Sequence, residues 1–124
     1  MERIRATAYY AVVLGLALLL PASLYAQETR GRITGRVQDS TRGVVAGASV
    51  KITDVARATT TATTTNAEGL FQVNYLLPGN YAVTVESAGF KKYVQDKVRL
   101  ELNQTLDLAV VLEVGGQEEM ITVS

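Results

Sequence analysis

The sequence predicts an all-β fold, an antiparallel Greek-key β-sandwich of about seven strands that follows a signal peptide. Three observations support this prediction. Short segments in which apolar and polar residues alternate recur after residue 26. Turn-forming residues separate these segments at intervals of roughly 8 to 12 residues. Beyond residue 26, no segment has the helical spacing of apolar residues.

Residues 1–26 have the layout of a secretory signal peptide. A short basic start precedes an apolar run over residues 9–20, and a proline and small residues follow it. We expect cleavage between Ala26 and Gln27, which leaves a length suited to one domain. An uncleaved anchor helix is the alternative, although a membrane span needs about 20 apolar residues. The protein is therefore expected to be exported.

The composition restricts the chemistry that the chain can perform. It contains no histidine and no cysteine, which excludes the usual zinc ligand sets and the imidazole- and thiol-dependent mechanisms. Its 12 basic residues balance its 12 acidic residues, so no nucleic-acid partner is implied. We expect no catalytic residue, no cofactor and no metal. The scattered carboxylates are predicted to be solvated surface charges: Asp39, Asp54, Glu68, Glu86, Asp96, Glu101 and Asp107.

The first half of the domain contains three predicted strands. Alternation predicts strands over residues 32–38 and 48–54. Their inward residues are Ile33, Gly35, Val37, Ala48, Val50 and Ile52. Residues 58–65 are mostly threonine, which favours strands, so this segment is predicted to be an exposed polar edge strand. A low-complexity stalk or an acceptor segment for O-linked glycans is the alternative.

Two turn motifs follow, and we expect them to define the fold. Asn66 and Gly69 belong to the first motif, and Pro78 and Gly79 to the second. The Pro-Gly pair predicts a type II turn with a positive φ at the glycine. Since each motif precedes an alternating apolar run, we expect the two to be corners of one antiparallel sheet.

The aromatic residues divide into predicted core and predicted surface. Alternation places the following residues inward on the two strands after the turns: Phe71, Val73, Tyr75, Tyr81, Val83 and Val85. We expect Phe71 and Tyr81 to pack in the core. Phe90 and Tyr93 flank two lysines and are the candidates for exposure at a binding surface.

Two further strands are predicted toward the carboxyl end. Residues 91–100 break strict alternation, which indicates a β-bulge near Gln95 and Asp96. Residues 104–113 form the last regular strand. Ala109 and Val111 make its outer face apolar as well, which indicates a central strand or a contact surface.

The chain is predicted to contain one complete domain, over residues 27–113. Residues 114–119 have linker character. A β-like run follows over residues 120–123, and because it is short we expect it to have no partner in this domain. Residues 114–124 are therefore assigned to a linker and the start of a following domain.

Residues 31–113 resemble the carboxypeptidase regulatory-like domain family, which has a transthyretin-like fold also classed with carbohydrate-binding-like folds. The resemblance rests on residues 35–39, 47–52, 65–71 and 77–90. Asn66 stands where the family often has aspartate. The resemblance implies the fold, and with no histidine present it implies no peptidase activity.

The signal peptide, this domain and the glycine-containing linker together resemble the N-terminus of Oar-like TonB-dependent outer-membrane receptors. That resemblance implies a non-catalytic periplasmic interaction module. Its partners would be the receptor's own barrel domain and either a carbohydrate or another envelope protein. The alternative is a free-standing secreted module that binds carbohydrate or another surface.

Overall fold

The computed structural model describes residues 30–116 and 118–123, which form a β-sandwich. Its strands are β1 (Gly31–Asp39), β2 (Ser49–Asp54), β3 (Thr59–Thr64), β4 (Leu70–Leu76), β5 (Gly79–Glu86), β6 (Lys92–Leu100), β7 (Thr105–Leu112) and β8 (Met120–Val123). The predicted all-β sandwich is confirmed. The predicted signal peptide and its expected cleavage site at Ala26 and Gln27 lie outside the described residues.

The strands form two sheets, in the orders β4-β1-β7 and β3-β2-β5-β6-β8. Most neighbouring strands are antiparallel, as predicted, but β1 with β7 and β6 with β8 are parallel. Parallel neighbours need a long connection, and both pairs are joined through other parts of the sandwich. Alternation within a strand carries no information about the direction of its neighbour.

The core lies between the sheets and consists of the inward residues of the alternating strands. It includes Ile33, Val37, Val50, Ile52, Phe71, Val73, Tyr81, Val83, Val85, Leu108, Val110 and Leu112. Gly35 lies on the inward side of β1, where a Cβ would overlap Cζ of Phe71. The Phe71 ring occupies the space that a larger residue in β1 would need.

The turn motif at Asn66 and Gly69 is held by hydrogen bonds. Oδ1 of Asn66 accepts from the backbone N–H groups of Glu68 (3.0 Å) and Leu70 (2.9 Å). Gly69 has a φ of +75°, and a Cβ there would lie 2.7 Å from the carbonyl oxygen of Val37. The side-chain oxygen of Asn66 and the freedom of glycine therefore fix this turn.

The expectation that the two motifs are corners of one sheet is wrong. The Asn66 turn connects β3 to β4, and the Pro78-Gly79 segment connects β4 to β5, so each link passes from one sheet to the other. The type II turn is also wrong, because Gly79 has a φ of +158°, far from the roughly +80° that such a turn requires. Gly79 is extended because it already begins β5.

Three features of the sheet edges bear on the predictions. The threonine-rich β3 is an exposed edge strand, as predicted. β7 is an edge strand, so the central position considered for it is wrong. β8 pairs with β6 from Lys92 opposite Met120 onward, so the expectation that it has no partner is also wrong. The start of a following domain in residues 114–124 remains a prediction.

The bulge predicted in β6 is confirmed. Tyr81 pairs with Val98 and Val83 pairs with Gln95, which leaves one extra residue on β6 between these pairs. Lys97 lies in this interval and has a φ of +57°. The extra residue shifts which side chains point inward, so residues that do not alternate strictly still belong to one continuous strand.

Candidate functional site

Tyr75 is an exposed aromatic residue that the backbone holds outward. Gly31 pairs with Leu76 and Ile33 pairs with Val73, so β4 has one residue more than β1 across this interval. Tyr75 lies in this bulge with a φ of +59°, and its side chain is 68% exposed. A positive φ is unfavourable for a residue with a bulky side chain, and such strain is commonly found at functional sites.

A cleft of about 170 Å³ lies on one side of Tyr75. It is formed where the end of the β2–β3 hairpin approaches the link between β4 and β5. Its polar lining comes from Arg30, Asp54, Arg57, Thr59, Thr61 and Tyr81. The hydroxyl of Tyr81 donates to the carbonyl of Leu77 at 2.5 Å, which fastens the ring to the link. The cleft therefore combines hydroxyl, guanidinium and aromatic groups.

An ion pair organises one wall of this cleft. Nη1 of Arg57 lies 2.7 Å from Oδ2 of Asp54, and the backbone N–H of Arg57 donates to Oδ1 at 3.1 Å. The side-chain hydrogen bond from Arg57 holds the pKa of Asp54 below its ordinary value, although desolvation acts in the opposite direction. Burial raises the pKa of Tyr81, and the Asp54 charge adds to this shift.

A second depression, of about 320 Å³, lies on the other side of Tyr75. Its polar side chains come from Arg30, which also lines the cleft, and from Arg32, Gln72 and Asn74 of the three-stranded sheet. Nε2 of Gln72 donates to Oδ1 of Asn74 at 2.7 Å, and Nε of Arg32 donates to Oγ1 of Thr105 at 3.3 Å. Hydrogen bonding thus orients the amide and guanidinium groups beside the exposed ring.

The surface around Tyr75, defined here as Tyr75 with these two depressions, can stack against a ligand and hydrogen-bond to it. Aromatic faces and planar polar groups are the usual means of holding a sugar ring. Among the described residues that line the cleft, Asp54 is the one carboxylate, whereas glycoside hydrolysis uses two. Within residues 30–116 and 118–123, no group of three metal-ligating side chains is assembled. The exposed ring and the oriented amide and guanidinium groups are the features of this surface that can contact a ligand.

The structure reverses two of the sequence assignments for aromatic residues. Tyr75, predicted inward, is exposed, and Leu76 is buried in its place because the bulge shifts the alternation. Tyr93, a candidate for exposure, is buried in the core, and Phe90 is partly buried against it. Two adjacent apolar residues, Tyr75 and Leu76, are the sequence signal that indicates such a bulge.

The predicted surface carboxylates include one exception. Asp54 is only 4% exposed, so its assignment as a solvated charge is wrong. Its burial is compensated by Arg57, which lies three residues later in the β2–β3 turn. The residues of the two turn motifs lie elsewhere: Asn66 and Gly69 shape the β3–β4 link, whereas Pro78 and Gly79 follow one wall of the cleft.

The part of the chain that the structure describes has no helix able to cross a membrane. A comparison with curated proteins found no match.

Several solved structures share this fold. The TIE protein of Bacillus anthracis is 20% identical with a TM-score of 0.60, and the match covers 69% of this chain and 17% of that one. Hydroxyquinol 1,2-dioxygenase from Pseudomonas putida is 10% identical with a TM-score of 0.58, and the match covers 73% of this chain and 58% of that one. A streptococcal ancillary pilin is 18% identical with a TM-score of 0.57, and the match covers 72% of this chain and 34% of that one.

At these identities the likeness shows the fold alone. The chain spans less than two thirds of the length of each of these proteins. They include an enzyme and a pilin, so the fold does not specify an activity. The family resemblance is shown by a different comparison. The model of the carboxypeptidase regulatory-like domain matches residues 32–113, more than half of the chain, and the chain therefore belongs to the carboxypeptidase regulatory-like domain family.

Proposed function

We propose that this domain is a non-catalytic binding module and that the surface around Tyr75 holds a saccharide. The observation that supports this most directly is the strained, outward Tyr75, with polar side chains fixed on both sides of it. A sugar stacks its apolar C–H face on an aromatic ring and directs its hydroxyls to neighbouring amide and guanidinium groups. Both types of group flank this ring.

Glycan titration of the purified protein tests this proposal. A panel of bacterial and host glycans is titrated by calorimetry up to millimolar concentration. We expect one class to bind, and we expect Tyr75→Ala to weaken that binding by about tenfold or more because the stacking surface is lost. Tyr75→Phe should retain it, since the ring remains.

Leu102→Ala is the matched control, because Leu102 is also an exposed apolar residue but lies in the turn between β6 and β7. This variant should bind like the parent protein. The saccharide proposal fails if no glycan in the panel binds at millimolar concentration. It fails equally if Tyr75→Ala binds as tightly as the parent.

We propose further that the module is the periplasmic, N-terminal extension of a TonB-dependent outer-membrane receptor. Two features support this context: the signal-peptide layout of residues 1–26, and the resemblance of the signal, domain and linker to the start of such receptors. The matched solved structures are all longer than this chain, so the fold does occur as one unit of larger proteins. A free-standing secreted module is the second candidate.

The reading frame after Ser124 and cell fractionation distinguish these two contexts. The receptor context requires a plug and a barrel encoded downstream, and the protein should fractionate with the outer membrane. A stop codon followed by unrelated sequence, with the protein in the culture medium, would leave the secreted module in its place.

A further inference from the structure

The edge of β7 is the longest regular open edge among the described strands. Sheet edges in natural proteins are usually protected by bulges, short strands or charges. β4 is interrupted by the bulge at Tyr75, β3 has six residues and β8 has four. β7 pairs with β1 over eight consecutive residues without a shift, and none of the described strands lies on its other side. Its one charged residue is Asp107.

The backbone groups that face this open edge can be identified. The N–H of Arg32 donates to the carbonyl of Gln104 at 2.9 Å. Alternate residues of a strand direct both of their backbone groups to the same side, so the even-numbered residues of this segment bond to β1. The odd-numbered residues direct theirs to the open edge, and all four are exposed: Thr105, Asp107, Ala109 and Val111.

The opposite sheet extends beyond this edge. β7 packs against β6, and β8 is the next strand outward from β6. Ile121 of β8 pairs with the buried Tyr93, so it lies on the core-facing side of the sheet. Val123 pairs with Gln95 on that same side and is 37% exposed. This strand order places the core-facing side of β8 opposite the space beside the open edge of β7, and that space is called here the β7–β8 groove.

Because β8 is one strand outward from β6, the five-stranded sheet extends past β7 by about the spacing of one strand. A second copy that paired antiparallel through its own β7 would be related by a two-fold axis perpendicular to the sheet. The five-stranded sheets of the two copies would then lie on the same side of the joined three-stranded sheets. The β6 and β8 strands of the second copy would overlap the space that β8 of the first copy occupies. A single extended segment needs only about 4.8 Å beside β7 and would not overlap the described strands in this way.

We propose that the β7–β8 groove binds a single extended segment of another protein, which adds a fourth strand to the three-stranded sheet. Such strand addition obtains affinity from main-chain hydrogen bonds and specificity from alternate side chains. Side chains that point inward contact Ile121 and Val123 and are apolar. Those that point outward lie beside Asp107, which favours a basic residue there. This surface is separate from Tyr75 and its ligand.

The test uses an acetylated and amidated octapeptide, Thr-Val-Lys-Val-Thr-Val-Thr-Val, titrated into the purified protein. Amide shifts in nitrogen–proton correlation spectra report where it binds. We expect the largest changes at the odd-numbered residues Asp107, Ala109 and Val111 and at Ile121 and Val123. A peptide with proline at its two central positions, which cannot donate those hydrogen bonds, should bind about tenfold more weakly or not at all.

Two variant pairs locate the site. Ala109→Pro removes an N–H that faces the open edge and leaves the ladder to β1 intact, so it should weaken binding by about tenfold, whereas Ala109→Ser retains the N–H and should bind normally. Val123→Asp places a charge in the apolar wall and should also weaken binding. Thr122→Asp, on the opposite face of β8, should not. Unchanged melting temperatures verify that the variants fold.

The proposal is overturned by any of three results: the octapeptide binds no better than the proline peptide, the amide shifts cluster on β3 instead, or Val123→Asp and Thr122→Asp bind it equally. Concentration-dependent dimerisation that Ala109→Pro abolishes would assign the edge to a second copy and would equally overturn it.

Discussion

At the scale of single residues, the ion pair between Asp54 and Arg57 shows how a buried charge is accommodated. Asp54 ends β2 and is almost fully buried, whereas the Arg57 side chain remains about half exposed. Arg57 donates from both its side chain and its backbone, so the carboxylate keeps hydrogen-bond partners after losing water. The pair also fixes the turn that forms one wall of the Tyr75 cleft.

We therefore predict that Asp54→Asn destabilises the protein at neutral pH and that this difference shrinks in acid. The pKa of Asp54 in the folded protein is lowered from 3.8, chiefly by the Arg57 hydrogen bond. A carboxylate with a lowered pKa stabilises the fold at pH values above its unfolded pKa. This contribution is lost as the pH falls through the folded pKa. Urea unfolding of both proteins at pH 7 and at several values below 4 measures the difference.

Glu68→Gln is the control, because it removes an exposed carboxylate from the Asn66 turn. Its stability should differ little from that of the parent at pH 7. A difference between the parent and Asp54→Asn that stays constant from neutral to acid pH would contradict the assigned cause. It would mean that packing, and not charge, accounts for the effect.

Single residues also show where sequence reasoning succeeds. The φ of Gly69 and the accepting oxygen of Asn66 follow from turn chemistry that is local in sequence. The exposure of Tyr75 and the burial of Tyr93 do not follow from local sequence. Each depends on where a β-bulge adds one residue to the strand and so shifts the alternation of inward and outward side chains. The bulge in β6 could be predicted because two adjacent apolar residues are hard to place otherwise. Tyr75 and Leu76 are also two adjacent apolar residues, but residues 70–75 alternate regularly, so the sequence gives no sign of a bulge before Leu76.

At the scale of elements, β1 determines the packing of the three-stranded sheet. It is the middle strand, with β4 on one side and β7 on the other. Gly35 allows the ring of Phe71 to lie directly over its backbone, and the carbonyl of Leu108 is only 3.0 Å from where a Cβ would be. The absence of a side chain in the centre of this strand is thus compensated by an aromatic ring from its neighbour.

We predict that Gly35→Ala destabilises the protein by about 1–3 kcal/mol, the usual cost of inserting a group into a well-packed core. Chemical denaturation gives the free energy of unfolding. Gly116→Ala is the control, because a Cβ there meets no atom within 4 Å. Phe71→Leu combined with Gly35→Ala should recover part of the loss if the ring is the obstacle. Equal stability of the two single alanine variants would show that the ring moves aside freely.

The positions of strands are predicted better than their neighbours. Alternation identifies most strands of the domain because it reports which face of each strand is buried, and the β-propensity of threonine identifies the exposed β3. It cannot show that β3, β4 and β5 alternate between sheets, that β7 lies at an edge, or that β8 pairs with β6. These are long-range choices, made by the packing of two sheets and not by the local sequence.

At the scale of the whole molecule, the two proposed binding surfaces lie at different edges of the same small sheet. The surface around Tyr75 lies along β4, and the β7–β8 groove lies along β7, with β1 between them. Composition by itself excludes many chemistries, since the chain has no histidine or cysteine. Composition does not locate either surface, because both depend on which strands lie at the sheet edges.

The parallel pairing of β1 with β7 has a consequence for the order in which the protein can fold. Arg32 and Thr105 are hydrogen-bonded although they are 73 residues apart in the chain. Topologies dominated by such distant contacts fold on the scale of milliseconds to seconds. A chain that emerges from a ribosome or a translocation pore amino end first keeps β1 without its β7 neighbour until nearly the whole domain has followed. The middle strand of the sheet, although made first, is therefore among the last to be enclosed.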